Sequence, residues 1–290
     1  MAEPIVEHAP AKLNLDLLVT GRTASGYHEL DSLVVFADVA DRLTFTPADS
    51  LQLRLEGPFA AGLATGDNLV LTAARRLGLA SGRVPGVAIT LEKNLPVASG
   101  IGGGSADAAA TLRGLARLWS LDWPVHALMD LGLELGADVP VCVYRRPARL
   151  RGIGERLDPI RGLPDLPLVL VNPGVPVATA AVFRALELPT MAYRRPVLPA
   201  HPSLGRFAVW LGQSRNELEP PALDLAPAIG RVLERLRAID DCLVARMSGS
   251  GATCFGLFAD PARAAAAAGL IRAAEPDWWC TASTARGDLR

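Results

Sequence analysis

LPVASGIGGGSAD, residues 95–107, sets Gly100, Gly102, Gly103 and Gly104 immediately ahead of the strongest helical pattern in the chain. From Ser105 to Trp119, the residues Ala108, Leu112, Leu115, Ala116 and Trp119 fall on one face, and Ser105 is expected to be the N-cap. Glycines let a backbone turn its N–H groups inward with no Cβ in the way, and a helix N-terminus adds partial positive charge. Together they predict a cradle for an anion, with phosphate the natural occupant. The plainer alternative is a flexible loop in which Ser105 caps the helix and Asp107 complements its dipole. Four glycines in five positions carry a large ordering entropy that a mere connection has no reason to incur. This is not a P-loop, since no Gly-Lys-Ser/Thr follows. Ser105 replaces the third glycine of G-x-G-x-x-G, and Asp107 replaces the last glycine of a G-x-S-x-G nucleophile elbow.

Outside the loop, the composition narrows the class. The chain has 290 residues, 50% hydrophobic and 20% charged, which is globular and long enough for two domains. Lys plus Arg number 29 against 30 Asp plus Glu, a formal charge of -1 with no long run of either sign. Neither nucleic acid nor an anionic membrane surface is an expected partner. Cys142, Cys242, Cys254 and Cys280 are scattered with no Cys-x-x-Cys pair, and MAEPIVEHAP carries no charged-then-apolar leader. A reducing cytoplasm is the expected setting. No apolar stretch approaches the roughly 20 residues of a membrane span.

Periodicity predicts strands over Ala11–Val19, Ser32–Val39, Leu43–Thr46 and Leu51–Glu56, a helix over Asp67–Leu79 and a strand over Gly86–Lys93. After the central helix come a second helix, Pro124–Leu135, closed by Gly136 as a left-handed cap, and a short apolar strand, Val139–Tyr144. Residues Arg145–Pro167, rich in Arg, Gly and Pro, read as connecting structure, and the boundary is placed near Gly162, giving domains 1–162 and 163–290. The second domain reads as strand Leu168–Val171, helices Ala178–Leu186 and Pro227–Ala238, strands Leu243–Ala245 and Thr253–Phe258, helix Pro261–Ala273 and strand Trp278–Thr284. That order suits a split βαβ layer in an α+β fold.

Four further segments could carry chemistry, and each also has an ordinary reading. MSGSGAT, residues 247–253, lies between two apolar segments, where a β-hairpin turn is the favoured interpretation. In LGADVP, Asp138 stands in a turn, where Asp usually caps backbone. In AKLNL, Lys12 and Asn14 alternate with apolar neighbours and share one strand face, where a lysine is normally a solvated edge charge. In GYHEL, Tyr27 and His28 could be half-buried packing residues.

Taken together, PAKLNLDL, GYHEL, LPVASGIGGGSADAAATL, GADVP and MSGSGATCFG resemble the GHMP kinases in order and spacing over nearly the whole chain. The resemblance implies a two-domain α+β fold with ATP and an alcohol acceptor in the interdomain cleft, and an ATP-dependent phosphotransferase activity that works with Mg²⁺. It implies Lys12 and Asp138 as the catalytic pair, Asp138 accepting the hydroxyl proton. It also implies Pro96, Val97, Ala98, Ser99, Gly100, Ile101, Gly102, Gly103, Gly104, Ser105 and Ala106 as the ATP-phosphate loop. PAKLNL, GYHEL and GADVP point to the branch whose small-molecule substrate carries a cytidine diphosphate group. Asn14, Tyr27, His28, Thr179 and Phe183 match the positions that hold that substrate, Tyr27 and Phe183 resembling a pair that sandwiches cytosine. Metal ligands are unassigned, Ser105 being the candidate hydroxyl. The chain departs from the pattern at Val34, where an aromatic is common, at Ser25, where an acid often precedes GYH, and at Ala106, where a second serine is usual. A homoserine- or mevalonate-type kinase would share the glycine loop, and a nucleotide-binding protein without catalysis would not need both Lys12 and Asp138.

Overall fold

Apolar residues interleaved with polar ones build the first elements: β1 (Ile5–Asn14), β2 (Leu18–Arg22), β3 (His28–Pro47) and β4 (Gln52–Glu56). The structure, a computed structural model, describes residues 3–24, 26–64, 66, 68–84, 86–187 and 195–287. The order continues α1 (Leu69–Ser81), β5 (Val87–Glu92), α2 (Gly103–Leu118), α3 (Val125–Leu133), α4 (Val139–Tyr144), β6 (Ala148–Gly152), β7 (Arg156–Pro159) and β8 (Leu166–Asn172). It ends α5 (Thr179–Ala185), α6 (Leu204–Gln213), α7 (Glu219–Leu225), α8 (Ala228–Arg237), β9 (Val244–Met247), β10 (Cys254–Leu257), α9 (Pro261–Ala274) and β11 (Trp279–Ala285).

Several expectations are corrected. β3 is one continuous strand where two were predicted, because Asp41, the apparent break, is buried with its carboxylate satisfied by backbone N–H groups. α2 begins at Gly103, with Gly102 in the left-handed conformation (φ 65) as its N-cap, so Ser105 sits inside the first turn and is not the cap. α3 ends on Glu134 in right-handed geometry (φ -65) instead of on a left-handed Gly136. Val139–Tyr144 is the helix α4, not a strand: a six-residue apolar run has no period to separate the two, and Pro140 in the first turn favours helix. Residues 145–167 contain the antiparallel pair β6 and β7. α6 and α7 fall where no element was expected. Ser203, whose hydroxyl accepts the Arg206 N–H at 3.4 Å, and the spacing of Phe207, Trp210 and Leu211 were the available signals for α6. Asp67 and Ser25 lie outside the described residues.

The chain divides into two compact units, each discontinuous: Met1–Lys12, Val39–Val97 and Gly102–Arg145 in one, Leu13–Asp38, Ala98–Ile101 and Arg146–Arg290 in the other. None of the crossings falls at Gly162. In the first unit β5 pairs parallel with β4 and antiparallel with the Arg42–Pro47 end of β3. Val87, Ile89, Leu91, Leu43 and Phe45 turn inward in alternation, and α2 comes so near this face that Gly114 has no room for a Cβ beside the Phe45 ring. In the second unit the sheet order is β11-β8-β10-β9, antiparallel throughout, with β8 buried along its length. Strand, helices, a strand hairpin, helix and strand thus make a split βαβ arrangement. Ile229, Val232, Leu233 and Leu236 of α8 and Ala264, Ala267, Ala268 and Ile271 of α9 join Val169 and Val171 in its core. Among the described residues no helix is long and apolar enough to cross a membrane.

Candidate active site

In the first unit Lys12, near the end of β1, is only 4% exposed, which removes the solvated-edge reading. Its Nζ lies 2.9 Å from Asp138 Oδ2. Asp138 occupies the N-cap position of α4, yet its side chain makes no capping hydrogen bond and is 43% exposed. The carboxylate is therefore turned to the lysine instead of to the helix it precedes. Gly102 packs on the same lysine: a Cβ there would approach Lys12 Cβ to 3.2 Å and Cε to 3.3 Å. From Gly103 the backbone is helical, so the first N–H groups of α2, at Gly103, Gly104 and Ser105, have no partner within the helix. These glycines leave the amides uncovered, and the dipole of a sixteen-residue helix adds to their pull on an anion.

In the second unit the middle of the loop, Ala98–Ile101, rests on the turn between β9 and β10. Thr253 N–H donates to the Ser99 carbonyl at 3.0 Å, and the Ser248 hydroxyl donates to the Gly100 carbonyl at 3.2 Å. Gly100 has φ 75, and a Cβ on it would fall 2.6 Å from the carbonyl oxygens of Ser248 and Gly251. The hairpin reading of MSGSGAT is thus correct as topology, and the same turn also supports the glycine loop. It holds Asn14 too, whose N–H donates to Ser248 Oγ at 3.1 Å while its Nδ2 donates to Ser32 Oγ at 2.7 Å.

Thr179 and Ser250 share a hydroxyl hydrogen bond at 2.8 Å, and Phe183 of α5 stacks on His28 with ring centroids 4.9 Å apart and planes at 26°. Phe183 therefore meets His28, whereas Tyr27 is 65% exposed. Arg22 Nε donates to His28 Nε2 at 3.1 Å, leaving Nδ1 to carry the proton. Burial, and then the Arg22 charge, hold the imidazole below its ordinary pKa of 6.5.

The geometry can be set beside known proteins. Residues 68–146 match the profile described as GHMP kinases N terminal domain, and residues 197–274 that described as GHMP kinases C terminal. A 4-diphosphocytidyl-2-C-methyl-D-erythritol kinase from Paramagnetospirillum magneticum is 52% identical over 93% of this chain and 95% of its own length. One from Parvibaculum lavamentivorans is 51% identical over 99% of this chain and 100% of its own. This chain belongs to the GHMP kinases. A solved structure of a 4-(cytidine 5'-diphospho)-2C-methyl-D-erythritol kinase matches this GHMP kinase with a TM-score of 0.82 at 38% identity, covering 98% of it and 100% of the other chain.

Within this GHMP kinase, four residues that support the loop and its turn were not singled out by sequence reasoning. Asn216 Nδ2 donates to the carbonyls of Met247 at 2.9 Å and Gly249 at 2.8 Å, holding the turn open. Asp41 and Lys93 lie under the glycine loop, far apart in sequence. Ser248 stood inside a quoted motif, and only the contacts made by its hydroxyl single it out.

Proposed function

We propose that this GHMP kinase works in the cytoplasm, transferring the γ-phosphoryl group of ATP to the 2-hydroxyl of 4-diphosphocytidyl-2-C-methyl-D-erythritol in the non-mevalonate route to isoprenoid precursors. The observation that carries the chemistry is the Lys12–Asp138 pair, a buried ammonium 2.9 Å from a carboxylate with no capping duty. Identity of 52% over nearly the full length to a kinase of that name supports the choice of acceptor.

Phosphoryl transfer passes through a loose transition state, so the protein's task is to align the nucleophile and offset charge. The acceptor O–H proton moves to Asp138 as the new O–P bond forms, and it moves late, because an unactivated alcohol is far too weak an acid to lose it beforehand. The bond from γ-phosphorus to the bridging oxygen breaks, and ADP leaves with the electron pair. Lys12 balances the Asp138 charge before transfer and the charge on the transferring group during it. The amides of Gly103, Gly104 and Ser105 bind phosphate oxygens.

Mg²⁺ bound with ATP would neutralise phosphate charge. Among the described residues no group of three or more His, Cys, Asp or Glu could hold a metal. The Ser105 hydroxyl, in the first turn of α2, would be an oxygen ligand of the kind Mg²⁺ takes. The cytosine is held by Phe183, His28 and Tyr27, with the neutral His28 ring offering its Nδ1–H to a base acceptor, and Asn14 and Thr179 bind the same substrate.

The test is ATP turnover with the cytidine-bearing alcohol, the cytidine-free methylerythritol phosphate, homoserine and mevalonate. Remote binding energy positions the hydroxyl, so only the first should be phosphorylated efficiently. Equal rates with and without cytidine would overturn the acceptor assignment, and no turnover with any alcohol would overturn the kinase reading.

A further inference from the structure

Behind the glycine loop lies a buried charge cluster that the transfer chemistry does not use. Lys93, immediately after β5, donates from Nζ to Asp41 Oδ2 and, at 2.7 Å, to Asp107 Oδ2. All three side chains are buried. The other Asp41 oxygen accepts the N–H groups of Asn94 at 2.6 Å and Leu95 at 2.8 Å, where the loop starts. Asp107 stands on α2, about one turn beyond Gly103, where the loop has ended. Gly103 lies over the ammonium: a Cβ there would come within 3.2 Å of Lys93 Nζ and 3.8 Å of Asp41 Oδ2.

We infer that Asp41, Lys93 and Asp107 form a clamp that ties the two ends of the glycine loop together and sets the first-turn amides of α2 where the nucleotide phosphates need them. The inference rests on the kinase reading above. One ammonium between two carboxylates carries no excess positive charge, so the cluster does not itself attract phosphate. Its effect is geometric, and its members are positioning residues.

A buried ionic bridge is a poor source of stability, because desolvation offsets the Coulomb gain. Here Asp107 Oδ1 is buried with no hydrogen-bond partner among the described residues, a further cost that a purely structural contact would not retain.

Asp107→Ala separates the two roles. It leaves Lys93 and Asp41 as a neutral pair, so the melting temperature should hold or rise. The KM for ATP should rise on the order of tenfold, the scale of effects passed through an outer shell of supporting bonds, while the acceptor KM stays put. Asp107→Asn, which still offers Lys93 an acceptor, should recover most of the loss. Unchanged ATP affinity in folded Asp107→Ala, or a loss that Asp107→Asn does not relieve, would overturn the clamp.

If Asp107→Ala does not fold, hydrogen exchange on the native protein decides. The Asn94 and Leu95 amides should be as protected as those of β5, and rapid exchange would overturn the proposal. Calorimetry with a non-hydrolysable ATP analogue reads the clamp without any acceptor, so a failure of the kinase reading would be seen separately.

Discussion

The role proposed for Asp138 can be isolated by a conservative change. Asp138→Asn keeps the shape beside Lys12 but cannot take a proton, so kcat should fall by about 100-fold or more with the ATP KM little altered. Steady-state kinetics near wild type would return Asp138 to an ordinary turn residue. Phe183→Ala removes the ring stacked on His28. A stacking face contributes roughly 1–3 kcal/mol, so the acceptor KM should rise about tenfold or more while the ATP KM holds.

A third prediction concerns pH. Burial pushes Asp107 up to about 7 from an ordinary 3.8; Lys93 pulls it back and Asp41 adds to the rise. The folded protein thus keeps a proton that the unfolded chain gives up. The stability from this group is whole below the ordinary value and is lost as pH rises through about 7. Thermal unfolding between about pH 5 and about pH 8 should show a decline that Asp107→Asn flattens, and parallel curves would refute it. The motifs AKLNL and GADVP made Lys12, Asn14 and Asp138 legible as residues. That Lys12 meets Asp138 was not legible without the resemblance, because nothing in two short motifs encodes their distance.

Among the elements, the support of the glycine loop by the β9–β10 turn gives the sharpest expectation. Gly100→Ala forces a positive φ on a residue that disfavours it and drives a Cβ into the carbonyls of Ser248 and Gly251. A loss of about 1–3 kcal/mol in denaturant unfolding should follow. Gly104→Ala, whose Cβ would meet Leu69 Cδ1 at 3.6 Å and nothing nearer among the described residues, should leave stability near wild type. Equal effects would show that crowding at Gly100 is not what holds the loop. Elements with strong periods, such as α2, α8 and β5, were readable from the sequence to within a few residues, and α9 was readable from its alanine run instead. α4 was not, because six apolar residues around Pro140 have no period. α7 was hidden by Pro220 and Pro221, which favour a first helical turn and elsewhere signal a break.

At the scale of the molecule, the path of the chain matters more than any boundary in it. Leu17 exchanges backbone hydrogen bonds with the Arg215–Glu217 segment, at 3.0 and 2.8 Å, and Leu17 and Val19 belong to the same buried cluster as Val169 and Val171. A polypeptide of residues 163–290 lacks both. It should show no cooperative unfolding alone and should regain it when coexpressed with residues 1–162; cooperative unfolding of 163–290 by itself would contradict this. The Arg-, Gly- and Pro-rich stretch before Gly162 marked a loop-rich region in the sequence. Composition could not show that Leu13–Asp38 joins strands synthesised much later, since pairing partners distant in sequence leave no local trace.

The hydrogen bond from Asn14 to Ser248 spans 234 positions. A ribosome adding roughly 5–20 residues per second leaves on the order of 10–50 s between the two. Throughout that interval the apolar strands around Asn14 have emerged without the turn that receives them. The newborn chain is then open to aggregation and to chaperones, and substitutions at Asn14, Ser248 or Asn216 should lower soluble yield in cells by more than their effect on the purified protein's stability.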